Sequence, residues 1–288
     1  MNFIDISSWQ YGLDLETLFR ENPSLDGVIV KSSGGVSYVQ TTCDPWVQYL
    51  HKHNKPFGFY HYLDDDGQHS SGAMEARYFV QNTKSYFGFG MPFADYEGEA
   101  LNKGTKYLQE FLDTVYDLTT VRCGVYCSLS VVQSQDFSQI SKNYPLWVAQ
   151  YADMNPVSGF LDNPWQNGSV SPFPRYIIHQ YTCCGHLNGW NGNFDFDKVY
   201  LSEEEWREMC GGNKPDELRG PDAVVISDIL SNKYGIKEER ARKLREAGYD
   251  PDRCQQKINE IYDMANRIKP IVKGNMDYLN SIVKVVRS

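Results

Sequence analysis

Four acidic residues stand in or beside apolar runs, where carboxylates are otherwise disfavoured. Asp95 and Glu97 end the run Met91-Pro92-Phe93-Ala94-Asp95-Tyr96-Glu97; Asp5 lies within Phe3-Ile4-Asp5-Ile6-Ser7, and Asp195 within Asn193-Phe194-Asp195-Phe196-Asp197. Side chains at i and i+2 of a strand share a face, so Asp95 and Glu97 are expected side by side. Two such carboxylates repel, and the proton affinity of one is expected to rise, giving an acid usable near neutral pH. Taken alone, a D-x-E also describes a solvated strand end. The placement of the other acids decides between the two readings.

The elements that must position these acids follow from the hydrophobic pattern. Strands are expected at Phe3–Ser7, Gly27–Lys31, Phe57–Tyr62, Met91–Glu97, Gly124–Cys127, Leu146–Tyr151, Arg175–Tyr181 and Asn193–Asp197. Helices are expected near Leu15–Glu21, Pro45–His53, Ser71–Thr83 and Thr105–Tyr116, so the first five strands alternate with helices and the last three largely lack them. This predicts an α/β fold, an irregular TIM-like barrel with a degenerate final portion. In such barrels the chemistry gathers at the C-terminal strand ends. The first and eighth strands are neighbours and the fourth faces them, so Asp5, Asp195, Asp95 and Glu97 are expected around one cleft. The aromatics Trp9, Tyr60, Tyr62, Tyr96, Tyr126, Trp147, Tyr151 and Tyr181 fall at the same rim. Rings of this kind stack on the apolar faces of sugars, while paired acids hydrolyse glycosidic bonds. Lys31, ending the second strand, either pairs with a cleft acid or is solvated.

Composition narrows the function. Of 288 residues, 41% are hydrophobic and 14% aromatic, including 20 Tyr and 6 Trp, which suffices for a packed core with rings to spare. A net charge of −9 argues against nucleic acid as a partner. No apolar run reaches the ~18 residues of a membrane span, so membrane insertion is not expected. Met1–Asp5 carries no basic or long apolar leader pattern. The seven cysteines form no C-x-x-C pair and read as reduced thiols. Neither a metal nor a cofactor is expected.

After Cys210 the character changes. Gly211-Gly212-Asn213-Lys214-Pro215 opens a polar linker. Helices follow near Asp222–Asn232 and Lys237–Ala247, the second ending at Gly248, a good C-cap, and Asp250-Pro251 opens a third. Val224, Val225, Ile229 and Leu230 are expected on the apolar side of the first. Such a three-helix unit has few core positions and is marginal alone. A broken helical stripe continues to the C-terminus, either packing back on this unit or forming a homo-oligomer contact.

These residues carry a resemblance. Phe3–Ser7, Val30-Lys31, Gly58-Phe59-Tyr60-His61-Tyr62, Asp95-Tyr96-Glu97, Gly124-Val125-Tyr126, Leu146–Ala149 and Gln180-Tyr181 with Asp195 resemble the family 25 glycoside hydrolases, the Chalaropsis-type lysozymes common among phage endolysins. The resemblance implies a barrel of five βα units followed by three strands. It implies cleavage of the β-1,4 bond between N-acetylmuramic acid and N-acetylglucosamine in bacterial peptidoglycan, with Glu97 as general acid, Asp95 as its charged helper, and Asp5 and Asp195 completing the acidic cleft. Tyr60, Tyr62, Tyr126, Lys31, Trp147, Tyr151, Gln180 and Trp9 are the expected substrate contacts. Many family members follow the second-strand Lys with a Thr-Glu-Gly segment; here Lys31-Ser32-Ser33-Gly34-Gly35 has no Glu, so one subsite contact is expected to differ. An endolysin would wait in the host cytoplasm until a holin releases it to the wall. The C-terminal part resembles a type-7 cell-wall-binding repeat, with Arg240, Leu244, Gly248, Tyr249 and Gln255 in the matching positions. The implied division is a catalytic barrel over 1–211, a linker over 212–220, a wall-binding repeat over 221–261 and a helical tail over 262–288.

Overall fold

The structure, a computed structural model, describes residues 1–65, 70–211, 221, 223–247, 249–262, 266 and 269. The chain divides into two units, Met1–Lys214 and Pro215–Ser288.

The first unit is a closed barrel. Its strands are β1 (Asn2–Ile6), β2 (Gly27–Gly34), β4 (Phe57–Tyr62), β5 (Met91–Asp95), β6 (Gly124–Ser128), β7 (Leu146–Ala149), β9 (Tyr176–His186) and β10 (Phe194–Val199). The order is β1-β10-β9-β7-β6-β5-β4-β2, and the pairing of β1 with β2 closes the ring of eight. Two short strands lie off the ring: β3 (Tyr38–Val39) pairs with β2, and β8 (Val157–Ser158) with β9. Helices α1 (Leu15–Glu21), α2 (Cys43–Lys52), α3 (Gly72–Thr83), α4 (Gly104–Thr119) and α5 (Leu129–Ser134) follow the first five barrel strands. No long helix separates β7, β9 and β10, and the chain ends the barrel with α6 (Glu203–Met209).

Strand alternation explains how this barrel holds both a core and a site. The outward residues, among them Ile4, Val28, Val30, Phe59, Val125 and Val148, pack with the helices in the larger core cluster. The inward positions read apolar at the bottom and polar at the top. Phe3 precedes Asp5, Ile29 precedes Lys31, Phe93 precedes Asp95, and Ile178 precedes Gln180 along their strands. The inner cluster of Phe3, Ile29, Tyr60, Met91, Phe93 and Trp147 is closed from below by Trp206 of α6, whose ring lies 4.8 Å from Phe3. A filled floor and a polar mouth are the usual division in this architecture.

One strand departs from the parallel arrangement. β10 runs antiparallel to both β9 and β1. Asp195 therefore reaches the mouth from the start of its strand rather than the end, in register with Asp5. The expectation that all four acids come from C-terminal strand ends is corrected on this point.

The second unit is described by itself. Helices α7 (Ala223–Leu230) and α8 (Lys237–Glu246) and a helical run over 251–262 enclose Val225, Ile229, Leu244, Cys254 and Ile258. Val224 and Leu230, expected on the apolar side of α7, are exposed; the inward stripe is Val225 and Ile229, four residues apart. The expected cap Gly248, the linker over 212–220 and nearly all of the tail over 262–288 lie outside the described residues.

Candidate active site

A cavity of about 620 Å³ opens at the mouth of the barrel, and Asp5, Asp95, Glu97 and Asp195 all line it. Asp95 is the last residue of β5; Glu97 continues in extended geometry with φ −150° and ψ −171°. The next residue, Gly98, has φ +56°, and a Cβ there would stand 2.7 Å from the Tyr62 hydroxyl. Glycine thus serves both the left-handed backbone and the close approach of that hydroxyl. The Tyr62 hydroxyl favours the ionised form of Glu97.

Burial dominates the acid–base behaviour of the site. Asp95 is 6% exposed, and burial first, then the Glu97 charge, pushes its carboxyl well above the usual range, while Lys31 opposes the shift. Glu97 is likewise raised by burial, against the pull of Lys31 and the Tyr62 hydrogen bond. The expectation of one raised carboxyl through mutual repulsion is thereby sharpened: both rise, and loss of water is the larger cause. Asp95 Oδ1 is buried with no hydrogen-bond partner among the described residues, an acceptor left open in a polar cleft. Across the mouth, burial raises Asp195 to about 6.

Fixed side chains surround the acids. Gln180 Nε2 donates to Asp5 Oδ2 at 2.7 Å, and Gln180 Oε1 accepts from the hydroxyls of Tyr126 at 2.8 Å and Tyr151 at 2.6 Å. Three bonds settle the amide's orientation and leave the lone pairs of both tyrosine oxygens for other donors. Trp147 packs edge-on against Tyr126 at 4.6 Å and Tyr60 at 6.4 Å. Lys31 Nζ sits 4.6 Å from the Tyr62 ring centroid and donates to Asp65 Oδ2 at 2.9 Å. A register shift between Lys31 and Ser33 places an extra residue in β2 there, the bulge that re-aims this part of the strand. Gly34 has no Cβ because the Asp65 carboxylate lies against its backbone, 2.2 Å from where that Cβ would be.

Comparison with known proteins agrees with this geometry. The family model for glycosyl hydrolases family 25 matches residues 4–190. The chain belongs to glycosyl hydrolases family 25. It is 24% identical over 268 residues to a lysozyme of Streptococcus phage Cp-7, covering 90% of this chain and 69% of that protein. It is 26% identical over 202 residues to an autolytic lysozyme of Clostridium acetobutylicum, covering 69% of this chain and 55% of the relative. Its fold is similar to the crystal structure of a bacterial lysozyme from Streptomyces coelicolor, with a TM-score of 0.61 at 19% identity, over 74% of this chain and 98% of that one. As a member of family 25 the protein is a glycoside hydrolase.

All twelve residues expected in the family 25 cleft line the cavity: the four acids, Trp9, Lys31, Tyr60, Tyr62, Tyr126, Trp147, Tyr151 and Gln180. Trp9 is 87% exposed, a free ring at the rim. Lys31 pairs with Asp65 rather than with a D-x-E carboxylate. Two rim aromatics are misplaced by the sequence reading. Tyr96 and Tyr181 point outward into the helix layer, where the Tyr96 hydroxyl donates to Gln135 and the Tyr181 oxygen accepts from the Leu161 N–H. Each is the neighbour of a cleft residue, and alternation sends neighbours to opposite faces.

The sequence reading passed over Asp65, Trp190, Cys183 and Asp197. Trp190 and Cys183 line the cavity from the loop and bulge around β9. Asp197 had a signal: it stands two residues from Asp195, so the same i, i+2 rule that paired Asp95 with Glu97 places it inward. In the second unit, Arg240 Nε donates to Gly235 O at 2.9 Å and Arg240 Nη1 to Gln255 Oε1 at 3.4 Å. Tyr249 is half-buried against the small core, whereas Leu244 is 1% exposed and is part of that core. Leu244 holds the helices together and is not free to touch a ligand.

Proposed function

We propose that the protein is a muramidase that hydrolyses the β-1,4 bond between N-acetylmuramic acid and N-acetylglucosamine in bacterial peptidoglycan. The observation that carries this reading is the open, buried Asp95 oxygen beside a raised Glu97, in a cleft walled by rings and tyrosine hydroxyls. Glu97 is the general acid that gives its proton to the glycosidic oxygen as the bond breaks. Asp95 accepts the N–H of the substrate acetamido group at its open oxygen. That interaction makes the acetamido oxygen a better nucleophile toward the anomeric carbon, the substrate-assisted variant of glycoside hydrolysis. Water, deprotonated by the now ionised Glu97, then opens the cyclic intermediate.

The two carboxyls titrate as a pair. An N–H arriving at Asp95 favours its ionised form and leaves the remaining proton on Glu97, so substrate binding arms the acid. Asp195, with its value near 6, is largely ionised at neutral pH and holds the cleft negative opposite the developing positive charge, while burial and the neighbouring Asp195 and Asp197 charges push Asp5 well above the usual carboxylate range.

The C-terminal unit we read as a single wall-binding repeat, on the strength of its three-helix core and the exposed face carrying Arg240 and Gln255. One repeat gives weak attachment unless self-association adds avidity. We read the protein as a phage endolysin that waits in the host cytoplasm for a holin; what supports the phage part of this reading is the phage lysozyme relative. No helix of the described residues is long and apolar enough to cross a membrane. A bacterial autolysin is the second reading, supported by the clostridial relative.

Release of reducing ends from purified peptidoglycan tests the assignment. Wild type is expected to release them, and Glu97→Gln to be slower by about 10²- to 10⁴-fold. An unimpaired Glu97→Gln enzyme removes Glu97 from the role of general acid.

A further inference from the structure

Cys183 and Cys184 are adjacent in β9, and the reaction proposed above uses neither. Between β9 and β10, Thr182 pairs with Phe196 and Gly185 with Phe194, so the two cysteines together stand opposite a single residue, Asp195. Two residues against one make a β-bulge, in which the extra residue is released from the ladder. The side chains show it as well. Gln180 and Cys183 are three apart yet both line the cavity, which strict alternation forbids. Neighbouring side chains of a regular strand point to opposite faces, but here the Cys183 and Cys184 sulfurs lie 4.0 Å apart. The Cys184 N–H donates to the Thr182 hydroxyl at 3.0 Å, outside the strand ladder. Both cysteines are half-buried, whereas Cys43, Cys123, Cys127, Cys210 and Cys254 are buried. A pair of thiols within reach of small molecules thus faces a cleft acid across the bulge.

We propose that Cys183 and Cys184 form a redox-active dithiol, whose oxidation by a low-molecular-weight disulfide to a vicinal disulfide displaces Asp195 from its place at the cleft. One cysteine thiolate attacks the S–S bond of the oxidant and expels one small thiol. The other cysteine attacks the mixed disulfide so formed and expels the second. The protein exchanges two S–H bonds for one S–S bond, the oxidant is reduced, and both protons leave on the small thiols. Burial pushes the Cys183 thiol up to about 11, with the Cys184 sulfur and the Asp195 charge acting in the same sense, so oxidation is faster in alkali.

The bulge is what lets this bond form and what carries its effect. Adjacent Cα atoms are about 3.8 Å apart, closer than the roughly 4.4–6.8 Å of an ordinary disulfide. The ring that closes over one peptide unit cannot keep extended geometry, so the strand turns where the ladder is already open. Asp195, opposite that turn, moves with it. The strained bond is readily reduced, so thiols restore the strand. A reducing compartment keeps the pair as thiols.

The full-length protein treated with 2-hydroxyethyl disulfide tests this. Cleavage after Arg175 and Lys198 leaves both cysteines in one peptide. That peptide should become lighter by one pair of hydrogens, with no reagent attached, and regain them in dithiothreitol. In carboxyl-labelled aspartate NMR, the signal that is absent from Asp195→Asn should shift between reduced and oxidised wild type. Neither readout needs substrate. The activity arm rests on the muramidase reading: the oxidised enzyme should release reducing ends on the order of 10- to 100-fold more slowly and recover in dithiothreitol. The inference is overturned if the peptide carries reagent on each cysteine and no internal bond, if the Asp195 signal stays in place in the oxidised protein, or if the oxidised enzyme keeps its rate. A reduced enzyme without activity on peptidoglycan would sink the functional reading and leave the mass and NMR results to decide the role of the pair.

Discussion

Asp95 and Glu97 show how position along one strand separates two identical chemical groups. Asp95 ends β5 inside the barrel and is closed in by it; Glu97 stands two residues beyond and is less deeply buried. A carboxyl whose folded value is raised makes the folded state less stable as pH climbs from the usual carboxylate range through that raised value. Asp95→Asn should therefore be more stable than wild type at pH 7, by on the order of 1 kcal/mol for each pH unit of displacement, and melt at a higher temperature. The two proteins should converge near pH 3, and activity should be lost throughout. Thermal melts at both pH values check this, and equal melting at pH 7 would refute it. The raised Glu97 likewise sets the alkaline limb of kcat: activity falls as pH passes above its raised value and the acid loses its proton. At this scale the sequence was informative because acids in strands are costly and so stand out. Asp197 is harder to single out, because Asp195 two residues before it already supplies the last strand's acid at the cleft.

In the first turn of α3, Glu75 shows what the outer elements contribute to the site. Its carboxylate accepts His61 Nε2 at 3.2 Å, the Asp64 N–H at 2.9 Å, the Ser70 hydroxyl at 2.6 Å and the Tyr107 hydroxyl. Ser33 lies 2.9 Å from His61 Nδ1, so β2, β4, α3 and α4 meet at one buried anion. Burial works to raise Glu75, but the bonds from His61, Ser70 and Tyr107 outweigh it and hold the carboxyl low. Its stabilising effect is present at neutral pH and lost as pH falls through that lowered value. Glu75→Gln should cost about 2–4 kcal/mol at pH 7, shrinking in acid, as read from urea midpoints. Asp64 and Asp65 follow β4, and Asp65 holds Lys31, so the same variant should raise KM more than it lowers kcat. Helices and strands of the first half were legible because alternation and helical spacing are strong, local signals. The antiparallel β10, the bulges and the outward turn of Tyr96 and Tyr181 depend on pairing between distant segments, which a local pattern does not carry.

At the scale of the whole molecule, each of the two units has a core of its own. The barrel should fold without residues 215–288 and keep its kcat on short soluble glycan fragments. Its binding to intact walls in sedimentation assays should fall, and undiminished binding would end the wall-binding reading of the C-terminal unit. Light scattering of the full chain against a truncation after Asn259 tests self-association: a larger mass per chain only in the full protein supports it, and equal values dismiss it. The central claim concerns which bond the cleft breaks, and mass spectrometry of digested peptidoglycan addresses it most directly. The account predicts products ending in reducing N-acetylmuramic acid, absent with Glu97→Gln; products ending in reducing N-acetylglucosamine would contradict it.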